Sequence, residues 1–228
     1  MFPTENSQET LTPTETWQIG CSAFCRIVDA QGRFMLTINA KKHSKGQVVL
    51  SPPGGKIRIN EAGRADVEGI PGFIPDSWKK GNIVFKFANT QCLPLFARWF
   101  LAGKNRETST SVREFCEELC DETHVLSLKN AAQICCALAG YYLQIGKPNE
   151  DDERQPGIQK IRFIEVWDGQ LPNNVMQQLV HQTIYFATAE EIVAGITRTG
   201  ITIGAVSQSL LYPTTAENII KSAGHICI

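Results

Sequence analysis

The chain has 228 residues, 43% hydrophobic and 20% charged, with 22 basic and 23 acidic side chains and a formal net charge of −1. That balance suits a globular protein with a sizeable core, and it lacks the basic footprint of a nucleic-acid or membrane-surface binder. No apolar run approaches the ~20 residues of a spanning helix. The opening MFPTENSQETLTPTETW also lacks the basic and apolar regions of a secretory leader, so a cytoplasmic protein is expected.

Residues 1–15, rich in Thr, Glu, Pro and Ser, read as a flexible arm, and residues 16–228 as a single domain. WQIGCSAFCRIVD and RFMLTIN read as the two strands of a hairpin turned by AQG, with KKHSKG as a polar loop behind them. QVVLSPPGGKIRI follows, a short strand running into a Pro-Pro-Gly-Gly turn. There, Gly54 and Gly55 free the backbone to take unusual angles or approach a ligand closely. Gly and Pro exclude a long helix across EGIPGFIPDSWKKGN, and IVFKF is a short strand. LPLFARWFLAG is a helix with Gly103 as its left-handed cap. The next helix, SVREFCEELCDET, begins at a capping box of Ser111 and Glu114 or at Thr110. Downstream, CALAGYYLQIG and GIQKIRFIEVWDG are strands joined by the polar loop KPNEDDERQP. NNVMQQLVHQ reads as a short helix, TIYFA as a strand, and TAEEIVAGI, IGAVSQSLLY and TAENIIKSAG as helices. The order predicts an α/β chain in the broad sense, a mixed sheet with helices packed on it.

The helix SVREFCEELCD carries the chemistry. Glu114, Glu117 and Glu118 at i, i+3 and i+4 share one face of an α-helix, while Val112, Phe115 and Leu119 form an adjoining apolar stripe. Arg113 can pair with Glu117, which leaves Glu114 and Glu118 poorly compensated. A hard divalent cation such as Mg²⁺ or Mn²⁺ would relieve that repulsion. A solvated acidic face near a helix N-terminus is the competing reading. Eight cysteines stand at positions 21, 25, 92, 116, 120, 135, 136 and 227 without a C-x-x-C pair, so they read as reduced thiols. Cys116 and Cys120, four apart, leave a zinc ligand pair open.

SPPGGKIRINEAG followed by REFCEEL resembles the Nudix box: Gly, five residues, Glu, seven residues, Arg-Glu, an apolar residue, any residue, Glu-Glu, any residue, Gly. Gly55 and Glu61 keep the five-residue gap, and Arg113, Glu114, Phe115, Glu117 and Glu118 match the helical half. The chain departs twice. Residues 62 to 112, 51 in all, replace the seven of the box, and Cys120 stands at the second glycine. The whole most resembles SMODS-associated Nudix domains, encoded beside bacterial nucleotide-second-messenger defence genes. The shared segments are GKNRETSTSVREFCEEL, GYYLQI, KIRFIEVW and EEIVAGITRTG, and the likeness spans roughly 17 to 211.

The resemblance implies an α+β Nudix-like sandwich, its mixed sheet packed between helices, with an insertion of about 62–107 before the Nudix helix. It implies a Mg²⁺-dependent (or Mn²⁺-dependent) diphosphohydrolase acting on a nucleotide, with antiphage defence as its setting, and it allows a homodimer. Glu114, Glu117 and Glu118 would be metal ligands and catalytic acids, with Arg113 positioning them. Gly54 and Gly55 would approach the phosphates, Arg162 would bind substrate, and Glu165 would be a candidate additional base. Plain alternatives stay beside these: a solvated strand face for Glu165, solvated loop for Glu150, Asp151, Asp152 and Glu153, surface ion pairs for Arg154 and Arg162, and core packing rather than base stacking for Tyr141 and Tyr142. The insertion, with IPGFIPDSW, suits a flap, a dimer surface or packing on its own sheet. A nucleotide sensor that does not hydrolyse, or a partner-binding protein with an acidic helix, are the rival functions.

Overall fold

The computed structural model describes residues 16–74, 84–146, 159–179 and 183–226. Two sheets make the frame. The larger has strand order β5-β6-β1-β8-β7, comprising β5 (Phe73–Ile74), β6 (Val84–Phe87), β1 (Trp17–Arg26), β8 (Gln159–Gln170) and β7 (Cys135–Gly146). β4 (Gly54–Lys56) also pairs with β1. β1 runs parallel to β8 and antiparallel to β6 and β4, so the sheet is mixed. The smaller sheet orders β10 (Thr202–Ile203), β3 (Val49–Ser51), β2 (Phe34–Ile38) and β9 (Ile184–Ala187).

Strand alternation sorts β1 into two faces. Ile19, Cys21 and Ala23 join a cluster with α3 (Leu93–Ala102) and α8 (Ala216–His225), and Cys25 packs beside Phe115 of α4 (Thr110–Cys116). Phe24, with Ile164 and Val166 of β8, points the other way against Leu36, Leu50 and Ile203 of the smaller sheet. The expected mixed sheet with helices is present, and a second sheet covers part of its other face.

The hairpin expected between the first two strands exists only at its turn. Met35 N donates to Ile27 O at 2.9 Å and Val28 bridges Phe34, after which the strands diverge. β2 then pairs with β3 and β9 in the other sheet. Both faces of β2 are apolar, with Met35 packed near Phe115 and Leu36 in the opposite cluster, so the strand is buried most fully between the layers. Two loops expected from the sequence contain short helices, α1 (Ala40–His43) and α2 (Glu61–Glu68). IGAVSQSLLY forms a 3-10 turn over Ala205–Leu210. The remaining helices are α5 (Leu128–Ala131), α6 (Asn173–Met176) and α7 (Ala189–Ala194).

The insertion packs on its own sheet. β6 extends the large sheet beside β1, and α3 covers it with an aromatic core. Phe96 meets Phe85 and Phe163 edge-on, each at 5.0 Å between centroids. All three rings are almost fully buried, so truncating Phe96 to Ala costs about 3–5 kcal/mol. Gly103, at φ 66°, ends α3 as expected.

The detour closes on itself. Asn60 N donates to Asn105 O at 3.3 Å, Glu107 N to Arg58 O at 2.9 Å, and Ile59 bridges Arg106. Residues 58–60 therefore lie against 105–107. The glycine turn and the glutamate helix meet in space although the sequence separates them. The stretch 75–83 of the insertion and the polar loop with Glu150, Asp151, Asp152, Glu153 and Arg154 lie outside the described residues.

Candidate functional site

β3 ends at Ser51, and Pro52 and Pro53 carry the chain into β4. Gly54 has φ 149°, and a Cβ there would collide with Ala23 O and the Phe24 backbone, so only glycine fits. The next residue matters differently. A Cβ on Gly55 would fall on the Glu114 carboxylate, which rests against bare backbone.

α4 places that carboxylate. Its N-cap is Ser109, without a side-chain cap bond, so neither expected cap is used. Ser111 is buried inside the helix, and Glu114 is drawn to Arg113 instead of back to the helix start. Phe115 and Leu119 sink into the cluster with Cys25, Met35, Val175 and Leu179, which fixes the rotation of the helix. After Cys116 the winding widens to a π-helical segment over Glu117–Glu122, where Thr123 N donates to Glu118 O at 3.0 Å. Such segments commonly occur at functional sites.

This change of winding divides the three glutamates that a continuous α-helix would align. Arg113 Nη1 lies 2.7 Å from Glu114 Oε1 and 2.9 Å from Glu117 Oε2. Its Nε meets Glu107 Oε1 at 2.7 Å, Nη2 meets Glu107 Oε2 at 3.1 Å, and Nη2 also donates to Lys56 O at 3.2 Å. Arg58 Nη2 approaches Glu117 Oε1 at 3.8 Å. Glu118 turns elsewhere: its Oε1 accepts from Gly54 N at 3.3 Å and its Oε2 from the Thr37 hydroxyl at 3.1 Å.

The electrostatics differ accordingly. Burial pushes the Glu118 carboxyl up to about 8. The Gly54 N–H and Thr37 hydroxyl offset burial only in part, and Glu122 and Glu114 add repulsion. Burial also raises Glu114, against the pull of Arg113. Among the described residues no cation pairs with Glu118.

Those donors suit a hard divalent ion in kind: carboxylate oxygens, with that of Glu118 half-buried and, among the described residues, unpaired by a cation. Their arrangement is less complete. Among the described residues no group of three or more His, Cys, Asp or Glu side chains is set to hold a metal, because Arg113 draws Glu114 and Glu117 to itself. Cys116 and Cys120 pack into the apolar cluster around Phe115 rather than forming a zinc set.

The other expected residues scatter. Glu61 starts α2 and is exposed. Glu165 is buried in β8, paired to Arg106 Nη2 at 2.5 Å and accepting from Trp167 Nε1 at 3.1 Å. Arg106 also donates to Phe100 O at 2.8 Å and lies over the Phe100 ring. Arg162 stands exposed on the sheet face away from α4, with Nη1 3.4 Å from Gln144 Oε1. Tyr141 packs edge-on to Phe100, and Tyr142 joins the cluster on the opposite face. Sequence reasoning missed Glu107, Thr37, Arg58 and Arg106. Glu107 lies six residues before Arg113, a spacing that no helical register would flag.

No curated protein matches the chain. A family model described as the SMODS-associated NUDIX domain matches residues 17–226. With the glycine turn, the Arg-Glu helix and the mixed sheet all in their expected places, the chain belongs to the SMODS-associated NUDIX domain family.

Proposed function

We propose that the protein hydrolyses the diphosphate linkage of a nucleoside diphosphate derivative or nucleoside triphosphate, using Mg²⁺ or Mn²⁺. The observation that carries this reading is Glu118: a half-buried, desolvated carboxyl that no cation among the described residues pairs with, fixed by Gly54 and Thr37, beside Glu114 on the bare backbone of Gly55. A desolvated structural acid is ordinarily paired, as Glu165 is with Arg106. Glu114 and Glu118, with Glu117, would hold the cation, which neutralises the diphosphate and acidifies the attacking water.

The chain's own groups do the rest. The water oxygen attacks phosphorus as the bridging P–O bond breaks, and its proton goes to whichever of Glu114, Glu117 and Glu118 does not hold the cation. Arg113, clamped by Glu107, sets Glu114 and Glu117 on the β4 side of the helix. Gly54 and Gly55, bare of side chains, would let phosphate oxygens come close to the β4 backbone. For its setting this reading takes antiphage defence in a bacterial cytoplasm, from the resemblance to SMODS-associated Nudix domains.

A second reading has its own support. Arg113 holds two of the three glutamates, and Cys120 stands at the glycine position of the box, which suits a sensor that binds a nucleotide without cleaving it. The deciding experiment is phosphate or pyrophosphate release from a nucleotide panel, with and without Mg²⁺ or Mn²⁺, for wild type and Glu118→Gln. Metal-dependent release that falls by at least about 10²-fold in the variant is expected. Nucleotide binding without release selects the sensor.

A further inference from the structure

One face of the smaller sheet turns polar beside the glutamates. Met35 of β2 and Phe186 of β9 are register partners and pack in the cluster around Phe115. Two residues on, Thr37 takes the same face, with Ile184 of β9 on one side and Ser51 of β3 on the other. Asn39 follows two residues later. Thr37 and Ser51 are nearly buried, 2% and 8% exposed. Thr37, Ser51 and Asn39 are all uncharged, whereas Arg113 and Arg58 approach Glu117.

Counting protons along this row leaves one unassigned. The Thr37 hydroxyl has one proton and two acceptors in reach, Glu118 Oε2 at 3.1 Å and Ser51 O at 3.3 Å. The closer, charged acceptor takes it. Asn39 Nδ2 donates to Ser51 Oγ at 3.3 Å, and Lys42 N fixes the amide by donating to Asn39 Oδ1 at 3.0 Å. Ser51 Oγ is therefore an acceptor towards Asn39, and among the described residues nothing accepts its own proton. A nearly buried donor left unmatched is costly, and an acceptor brought into the site removes that cost. Ser51 also stands between the two partners of Glu118. It is beside Thr37 in register, and three residues later Gly54 N donates to Glu118 Oε1 at 3.3 Å.

We infer that Ser51 is a specificity-determining contact, its hydroxyl donating to a carbonyl oxygen or ring nitrogen on the uncharged part of the substrate, beyond the diphosphate. The inference rests on the reading of the glutamate site as the place of diphosphate cleavage. A phosphate lodged against Ser51 would face Glu118 with no described protein cation paired there, and like charges brought together cost affinity. A neutral acceptor meets no such repulsion. Ile184, on the other side of Thr37, adds an apolar edge to the same wall.

The test uses the full chain as wild type, Ser51→Ala and Ser51→Thr. Hydrolysis of the four common ribonucleoside triphosphates is followed with Mn²⁺. Calorimetry of the same nucleotides and of inorganic tripolyphosphate uses Ca²⁺ in place of Mn²⁺ to slow turnover. Wild type should prefer one nucleotide. Ser51→Ala should weaken that nucleotide about fivefold in KM and Kd and narrow the ranking, with kcat and tripolyphosphate affinity unchanged. Ser51→Thr, which keeps the hydroxyl on a side chain suited to a strand, should restore the preference. Equal affinities and ranking in wild type and Ser51→Ala overturn the inference, as does a wild type that binds no nucleotide or ranks none. An equal loss for tripolyphosphate overturns it by putting the hydroxyl on phosphate. Ser51→Thr as weak as Ser51→Ala overturns it by making packing the cause. The expected binding pattern without hydrolysis would defeat the catalytic reading alone. Hydrolysis with an unchanged ranking in Ser51→Ala would defeat the contact alone.

Discussion

Glu107 grips Arg113 through both carboxylate oxygens, Oε1 to Nε at 2.7 Å and Oε2 to Nη2 at 3.1 Å, in the side-by-side geometry that makes guanidinium–carboxylate pairs directional. Burial raises the Glu107 carboxyl, but Arg113, the Thr110 hydroxyl and Arg58 N more than reverse that, so it stays ionised below the usual carboxylate range. Through this grip the end of the insertion sets the orientation of the arginine that holds Glu114 and Glu117.

Glu107→Gln should therefore act on the site from outside it. We expect a stability loss of about 1.5–3 kcal/mol by urea unfolding and a fall of about tenfold in kcat/KM. An unchanged kcat/KM would show that Arg113 holds the glutamates without help.

Gly55→Ala places a methyl group where the Glu114 carboxylate lies. Because β4 is paired to β1, the helix side must yield, and kcat/KM should fall about 10²-fold with little change in Tm. The double variant with Glu114→Gln should be no worse than the more affected single variant, since both act on one carboxylate. Fully additive losses would separate the two residues.

Glu165 and Arg106 form a buried ion pair, with side chains 4% and 2% exposed. Removing one partner strands the other, so Glu165→Gln should cost about 3–5 kcal/mol. Its kcat, measured where the variant remains folded, should match wild type. A large kcat loss without destabilisation would instead make Glu165 the additional base.

Acid should weaken the Glu191 cap. Burial raises this carboxyl, but the Tyr185 hydroxyl and the Thr188 and Arg198 N–H groups hold it below its ordinary value of 4.5. A folded pKa below the unfolded one adds stability above the unfolded value, and that stability is lost as pH falls through the folded value. The stability gap between wild type and Glu191→Gln should be constant above about pH 5 and close progressively below 4.5. A gap that widens with acid would reverse the sign.

Sequence pattern reached the long strands β7 and β8, α3 with its glycine cap, and α7, because their signals are local and strong. It also paired Arg113 with Glu117 by helical spacing. It failed wherever the outcome turned on distant partners. The strand carrying Met35 and Leu36 leaves its hairpin neighbour because both its faces need burial, which only the assembled layers supply. Glu118 parts from Glu114 and Glu117 because the helix rewinds, and a 100° wheel assumes that it does not. Glu165 and Arg106 meet across 59 residues of chain, a distance that no spacing rule spans.

The closure of residues 58–60 on 105–107 also bears on how the site is assembled during folding. Neither half of the site can be completed by its own neighbourhood in the chain. The turn waits for α4, and α4 waits for a detour containing β6 and α3 to dock on β1. Joining such distant segments is slow, since the chain loses the entropy of a long loop before the contacts that compensate for it form. Catalytic competence should therefore arrive with the last cooperative step of folding, and a newly made chain carries no working half-site before that step.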